Sequence, residues 1–332
     1  MGVKASLKLA MAWGLLRSGA LSLHRTGFER GRAIILFYHR INDAADPFFP
    51  ATPARRFTEQ VEYLARRYRI EPLDSVLVWL KEGAPGPPRL AITIDDGYRD
   101  THDIVLPELE RIGTPATLFL STAPPETGRP LWTDRLRNVF KHAREPVVEL
   151  PALGLTLALS SEEARLASLS VVMPLLKRSP PARIAAVLGE LEGRLGCGAA
   201  PPTALDWDQV RRLARHVFSL GAHTHNHYML SHLDDAEIAY EIETSVRLIR
   251  ERAGAAVTSF AYPNGEAADY DQRAIDVLRR LGVHSAVTAR PGFACPGQDP
   301  HELRRISGND PALAIFATRV AGLTPEMGRA SR

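Results

Sequence analysis

A run of apolar and β-branched residues begins at Leu90 and ends in two adjacent carboxylates, Asp95 and Asp96, which precede Gly97. Two carboxylates side by side after a buried strand are unfavourable unless a cation compensates them. The simpler alternative is an acidic turn before a glycine. If the pair is functional, one carboxylate is suited to binding a metal ion and the other to accepting a proton.

A second chemical signal is the histidine-rich segment after Gly221, in which His223 and His227 lie four residues apart. A helical turn would place these two side chains on one face, and the spacing is typical of metal ligands. His225 would then point to the opposite side. The alternative is a polar loop that happens to contain three histidines.

A third segment, Phe260–Gly265, reads as an apolar strand that ends in a Pro-Asn-Gly turn. In a parallel α/β fold the carboxyl ends of the strands converge, so this turn, the two aspartates and the histidines would share one pocket. One Asp and two His form an open three-ligand metal set with a free position, and the second Asp can act as a base. Such a set suits zinc, although cobalt, nickel and manganese occupy similar sites.

The elements that must position these residues alternate between strand and helix, which predicts parallel βαβ units and an α/β fold. The predicted strands are Ala33–His39, Leu90–Asp95, Ala116–Leu120, Val217–His223, Ser259–Tyr262 and Val283–Thr288. The predicted helices between them are Phe57–Tyr68, Thr101–Ile112, Glu237–Arg252 and Tyr270–Leu281. Proline pairs interrupt this alternation at residues 123–203, and helical patterns near Leu131–His142 and Glu162–Leu195 predict that this stretch is a mostly helical insertion.

Three of these segments resemble, in order and spacing, the motifs of the polysaccharide deacetylases (carbohydrate esterase family four). Thr93–Tyr98 resembles the T-[FI]-D-D-G motif, His223–His227 resembles H-[ST]-x-x-H, and Phe260–Gly265 resembles F-[RA]-x-P-x-G. The resemblance extends from about Ile34 to Ile306. It implies a distorted (β/α) barrel of about seven parallel strands, and the metal-dependent removal of an acyl group from an amino sugar.

By motif position, the resemblance also implies roles for individual residues. The implied assignments are Asp95 as catalytic base, Asp96, His223 and His227 as metal ligands, the backbone N–H of Asn264 as oxyanion donor, and Tyr262 and Pro263 as walls of the sugar pocket. A divalent metal ion, zinc first, and an N-acetylated glycan are the implied cofactor and partner.

The sequence departs from the family pattern in two places. Ala261 stands where the family often has an arginine that pairs with the catalytic aspartate, and Arg305 is a candidate replacement. The sequence also lacks the Leu-x-His segment that often supplies the general acid in this family, which leaves His225, His284 and His301 as candidates for that role. These departures keep a catalytically degenerate, metal-retaining carbohydrate-binding protein open as an alternative to the enzyme. A deformylase or deacylase of a lipid-linked amino sugar is the other alternative.

Trp132 begins a helical pattern in the insertion, just after a predicted strand end. We expect the insertion to wall one side of the substrate groove and Trp132 to offer a stacking platform for a sugar ring. The alternative is that this tryptophan packs in a small core of the insertion itself.

Composition limits the remaining functions. The 332 residues include 41 Lys and Arg against 38 Asp and Glu, a net charge of +3, which is too small to indicate a nucleic-acid partner. Two cysteines make no disulfide framework in a chain of this length and favour reduced thiols in the cytoplasm.

The chain divides into a basic N-terminal segment (1–31), the catalytic barrel (32–310) and a C-terminal tail (311–332). Leu7, Met11, Leu15 and Leu16, with lysines and arginines around them, predict a basic amphipathic helix that is too short to span a membrane. We therefore predict a cytoplasmic protein with weak peripheral contact at the inner membrane face. Packing of the helix on the protein's own body is the alternative.

Overall fold

The computed structural model describes residues 3–18, 21, 31–196 and 203–324. These residues contain ten strands. The strands are β1 (Ile34–Tyr38), β2 (Arg69–Ile70), β3 (Arg89–Asp96), β4 (Ala116–Leu120), β5 (Val147–Leu150), β6 (Leu155–Ala158), β7 (Phe218–Ala222), β8 (Ser259–Ala261), β9 (Ser285–Pro291) and β10 (Leu303–Ser307).

Seven of these strands form a closed parallel barrel in the order β1, β10, β9, β8, β7, β4, β3 and back to β1. Closure occurs at β1, which pairs along its whole length with β3 and also pairs Leu36 with Ile306 of β10. The short β2 pairs only with the start of β3. The predicted barrel of about seven parallel strands is confirmed. The sequence did not identify β10, the strand that closes it.

Helices cover the outside of the barrel and form most of the insertion. They are α1 (Val3–Arg17), α2 (Ala54–Ala65), α3 (Leu73–Lys81), α4 (Leu106–Ile112), α5 (Ala123–Thr127), α6 (Trp132–His142), α7 (Glu162–Lys177), α8 (Pro181–Leu195), α9 (Trp207–Ala214), α10 (Asp235–Leu248), α11 (Gln272–Arg280) and α12 (Leu313–Val320). The helical periodicity predicted at Phe57–Tyr68 corresponds to α2, whose Phe57, Val61 and Leu64 are buried.

Side chains alternate across the barrel wall, as the period of a strand requires. In β1, Ile34 and Leu36 belong to the large core beneath the surrounding helices, whereas Ile35 packs with Ala91 and Phe119 in a separate interior cluster. The near-continuous apolar runs that marked these strands in the sequence result from burial on both faces.

The insertion has a hydrophobic core of its own. Its helices α6, α7 and α8 pack around buried residues such as Leu136, Val172 and Leu188. An antiparallel hairpin of β5 and β6, which the sequence did not predict, packs with these helices. The single helical pattern predicted at Glu162–Leu195 is two helices, separated by a short stretch that includes Pro180.

The N-terminal helix α1 lies against the C-terminal helix α12. The predicted single apolar stripe is not formed: Leu15 and Leu16 pack on the core, but Met11 is 62% exposed. The side chain of Leu7 lies outside the described part. The predicted C-terminal tail contains helix α12, whose Phe316 and Val320 are fully buried. Within the described residues, no helix is both long and apolar enough to cross a membrane.

Candidate metal centre and active site

The site begins where β3 ends. Asp95 and Asp96 are its last two residues, and both are buried. Asp96 has a φ of 75° and Gly97 a φ of 87°, so the chain turns sharply through left-handed backbone directly after the strand. A Cβ at position 97 would collide with the Leu120 side chain of the neighbouring strand. The glycine is therefore required by both the conformation and the close approach of β4.

Asp96, His223 and His227 converge on one point. The Oδ1 atom of Asp96 lies 3.2 Å from the Nε2 atoms of both histidines, and all three side chains are buried. Within the described residues, Asp96 Oδ1 has no hydrogen-bond donor. A buried carboxylate oxygen with two imidazole nitrogens directed at it has the composition of a three-ligand divalent-metal site. The residues present therefore fit the metal ion that the sequence predicts.

The histidine segment reaches this geometry as an irregular loop, which corrects the predicted helical turn. Thr224 and His227 have φ values of 62°, which no helix contains. The Thr224 hydroxyl accepts a hydrogen bond from the His227 backbone N–H at 3.0 Å. Left-handed conformations of non-glycine residues are unfavourable and are typically retained at functional sites. His223 and His227 are thus close together, as predicted, but an irregular loop and not a helical turn holds them there.

Neighbouring groups orient the ligands. His223 Nδ1 lies 2.6 Å from the Ala261 carbonyl oxygen, and donation there leaves Nε2 as the free lone pair directed at Asp96. The Trp132 indole donates to the His227 carbonyl at 3.1 Å. Buried Glu241 accepts hydrogen bonds from the Asn226 backbone and side chain, both at 2.7 Å, and so fixes the middle of the loop.

Asp95 is paired with Arg305. The guanidinium donates two hydrogen bonds, from Nη1 to Oδ1 at 2.8 Å and from Nη2 to Oδ2 at 2.7 Å, and both side chains are about 2% exposed. Burial alone would raise the pKa of Asp95, but the charge and hydrogen bonds of Arg305 outweigh it and hold that pKa below its ordinary value. Arg305 on β10 therefore supplies the cation that is absent at Ala261.

His39 is the functional candidate that the sequence reasoning missed. It directly follows β1, its Nε2 lies 3.9 Å from Asp95 Oδ2, and its side chain is 47% exposed. It lines a cavity of about 250 Å³ together with Asp96, Tyr98 and Asp134. The rule that the carboxyl ends of parallel strands converge could have identified it, since His39 ends a predicted strand.

The three histidines considered as general acid are not among the residues that line this cavity. His284 and His301 precede β9 and β10, at the amino ends of the strands and so at the opposite end of the barrel. His301 is also hydrogen-bonded to the Val283 carbonyl through Nε2. His225 Nδ1 bonds to Thr122, and its ring packs against Tyr240.

Three predicted substrate contacts need correction. Trp132 is 5% exposed and packs in the core of the insertion, so it offers no open face for a sugar. Tyr262 is 1% exposed, stacks on Tyr270 and donates its hydroxyl hydrogen to the His301 carbonyl. Pro263 is buried as well. Tyr262 and Pro263 were assigned to the sugar pocket by their motif and Trp132 by its position after a strand end, but packing buries all three side chains.

Asn264 lies at the turn predicted for the oxyanion donor. Its φ is 61°, and Gly265 follows at 68° with no room for a Cβ, which would lie 2.6 Å from the Ala289 nitrogen. Among the described residues, the backbone N–H of Asn264 has no hydrogen-bond acceptor. Its side chain is held by Lys177 and Asp269.

The carboxyl end of the closed parallel barrel thus carries an Asp-His-His cluster that could hold a metal ion, next to a buried Asp-Arg pair. The family model of polysaccharide deacetylases matches residues 82–286, and the chain belongs to that family. The family's hydrolases act on amide bonds of glycans, in agreement with the predicted enzyme class.

Individual relatives agree with this assignment. The Bacillus subtilis protein YxkH, named after the same family, is 26% identical over 99 residues, which are 30% of this chain and 34% of that protein. The chain thus aligns with about a third of that curated relative. The deacetylase PplD of Streptococcus pyogenes, solved with acetate, has a TM-score of 0.56 at 16% identity, covering 83% of this chain and 92% of that one. IcaB of Ammonifex degensii has a TM-score of 0.57 at 16% identity, with 88% and 97% covered. At these identities the solved structures show the shared fold.

Proposed function

We propose that the protein is a metal-dependent hydrolase that removes an N-acetyl group from an amino sugar of a glycan. The observation that carries the proposal is the position of the Asp95–Arg305 pair next to the Asp96, His223 and His227 cluster. One aspartate is thereby assigned to the metal and the other is left ionised, buried and available as a base. Zinc is the ion that this ligand set suits best.

A divalent ion at this cluster would supply Lewis-acid activation of a water molecule and of the acyl carbonyl. Asp95 accepts the proton of the attacking water, since its pKa is kept low enough for the carboxylate to be ionised. The backbone N–H of Asn264 donates to the oxygen on which negative charge develops. Breakage of the C–N bond yields acetate and the free amine of the sugar.

His39 is proposed as the group that gives a proton to the departing nitrogen. It borders the same cavity as Asp96 and approaches Asp95 from the open side, where a substrate would lie.

The alternative of a binding protein without turnover depended on two departures from the family pattern, the missing general acid and the alanine at position 261. His39 and Arg305 occupy those two roles, which favours an enzyme over a binder. The same residues could remove a formyl or another small acyl group. Only a comparison of substrates therefore distinguishes a deformylase from a deacetylase.

The test is Asp95→Asn in the metal-loaded full chain. Turnover of 4-nitrophenyl acetate and of N-acetylglucosamine oligomers should fall by roughly 10²–10⁴, the usual contribution of a positioned base, with unchanged metal content. Chelation should abolish the wild-type activity, and added Zn²⁺ should restore it.

Asp74→Asn is the matched control, because Asp74 makes its hydrogen bonds to Thr258 at the amino end of the barrel. It should leave turnover unchanged. Loss of metal with only weakened turnover in Asp95→Asn would show that the roles of the two aspartates are reversed. Equal activity of both variants would refute the function.

We also propose a cytoplasmic location with weak contact to the inner membrane face through α1, whose Met11 and Trp13 are exposed. Such contact should be sensitive to salt, because only a few cations contribute. Cell fractionation at low and high salt, with a chain that starts at Arg32 as control, tests it. A full chain that is wholly soluble at low salt would refute it.

A further inference from the structure

Two cations of the insertion face the metal centre. Arg137 on α6 lines the same cavity as Asp96 and His39. Lys177, the last residue of α7, reaches the barrel and donates from Nζ to the Asn264 side-chain oxygen at 2.5 Å. The only protein group that Arg137 meets with a hydrogen bond, among the described residues, is the Phe48 carbonyl at 2.8 Å. Both side chains are partly buried.

Two of the carboxylates near the cavity are paired with cations other than Arg137 and Lys177. Asp95 is bound by Arg305, Asp134 is bound by Arg40 at 3.1 Å, and Asp96 lies between its two histidines. Within the described part of the chain, neither Arg137 nor Lys177 forms an ion pair. Arg137 acts on Asp134, and Lys177 on Asp269, only through their charges, without a contact, so both cations keep hydrogen-bond donors available to a ligand.

These two charges act on each other. Burial and the charge of Arg137 lower the pKa of Lys177, against the opposing effect of Asp269 and Asp96. Two like charges brought together and partly desolvated are unfavourable, and an anion between them would relieve the repulsion. Their positions are held by the insertion's own core, since Leu136 and Leu176, next to each cation in sequence, are fully buried.

We infer that Arg137 and Lys177 bind an anionic substituent, a phosphate or a carboxylate, carried by the substrate beside its acylated amino sugar. The inference rests on the proposed function for the position of that sugar. Charge-assisted hydrogen bonds to anionic oxygen are stronger than neutral ones, and arginine and lysine are the usual donors to phosphate and carboxylate. The insertion would thus select charged glycans or glycan precursors over neutral polymers.

The experiment measures binding in the His39→Gln full chain loaded with Zn²⁺, so that turnover is slow and the Asp95–Arg305 pair stays intact. The probes are neutral N-acetylglucosamine, its 1-phosphate, its 6-phosphate and N-acetylmuramic acid, each titrated by calorimetry. At least one anionic sugar should bind about tenfold more tightly than the neutral sugar. Lys177→Gln and Arg137→Gln, introduced separately, should each reduce that ratio about threefold, since the two cations share the anion. The phosphate and carboxylate probes distinguish the two sources of charge.

Arg178→Gln is the matched control, because Arg178 is the exposed cation next to Lys177 and lies outside the cavity. It should preserve the ratio. Equal affinity for neutral and anionic sugars would overturn the inference. So would a preference that survives both substitutions, since the metal ion alone would then hold the anion.

Turnover of 4-nitrophenyl acetate by the wild-type chain distinguishes a failure of this inference from a failure of the proposed function. Turnover without a charge preference would overturn only this inference. Absence of metal-dependent turnover would overturn the proposed function, and the binding ratios would still decide the role of the cation pair.

Discussion

The ends of the barrel strands supply the groups that meet the reacting atoms, whereas the insertion supplies groups that surround them. Asp95, Asp96 and His223 lie at or directly after strand ends, where the topology alone brings side chains from distant parts of the chain together. Arg137 and Lys177 reach the site only because helices α6 and α7 fold against each other and against the barrel mouth. In the proposed function the chemistry thus depends on the barrel strands, and in the further inference the selectivity depends on the insertion.

Trp132 shows where the two regions depend on each other. It packs in the insertion's core, yet its indole N–H donates to the backbone carbonyl of His227, a candidate metal ligand. The insertion therefore also supports the loop that carries His227. The predictions below separate these contributions, beginning with the barrel.

The largest effect is expected for His223→Ala. Removal of one of three ligands leaves Asp96 and His227 too few donors to retain a divalent ion, so metal content should fall from close to one ion per chain to near zero and activity should disappear. Metal analysis of the purified protein measures this. His284→Ala, at the other end of the barrel, is the control and should keep its metal. Full metal content in both His223→Ala and His227→Ala would contradict the assignment.

A smaller effect is expected for Arg305→Met, which leaves Asp95 buried without its cation. Breaking a buried pair by removing one partner lowers the free energy of unfolding by about 3–5 kcal/mol. Denaturant titration should show this decrease. Arg304→Met is the matched control, because Arg304 is partly exposed and its side chain, among the described residues, donates only to the Pro291 carbonyl. Its effect should be about 1 kcal/mol or less. Similar values for both variants would argue that the Asp95–Arg305 pair contributes little.

The smallest effect is expected for Trp132→Phe, which keeps most of the packing and removes the hydrogen bond to the His227 carbonyl. One such bond contributes about 1 kcal/mol, so metal affinity should fall roughly fivefold. Trp207→Phe removes a comparable bond, to Glu126 at 2.9 Å, away from the site and should not change metal affinity. If the metal affinity of Trp132→Phe is unchanged, the insertion does not support the loop that carries His227.

Much of the barrel could be predicted from the sequence because its strands are buried on both faces and therefore read as apolar runs. Strand β10 was missed for a physical reason. It carries Arg304 and Arg305, and a buried arginine makes a segment look exposed unless its partner is known. The hairpin of β5 and β6 was missed because its alternate residues, Val147 and Glu149, are exposed and its strands are short.

The motif residues themselves were predicted correctly as a cluster, but not every role that the motifs suggested agrees with the packing. Tyr262 and Pro263 flank a functional turn, and a motif match cannot show that their side chains point inward. His39 shows the opposite case. It belongs to none of the three motifs, yet the strand that it follows ends at the same edge of the barrel.

The sequence by itself determined the ligand types, their order and the alternation of strands and helices, because residue chemistry and hydrophobic periodicity are local properties. Only the tertiary structure decided that Arg305 replaces the cation missing at Ala261 and that His39 borders the cavity. It likewise decided that Trp132 is buried while Lys177 reaches Asn264. These facts depend on contacts between residues far apart in the chain, whose distances are set by how the barrel closes and how the insertion packs against it.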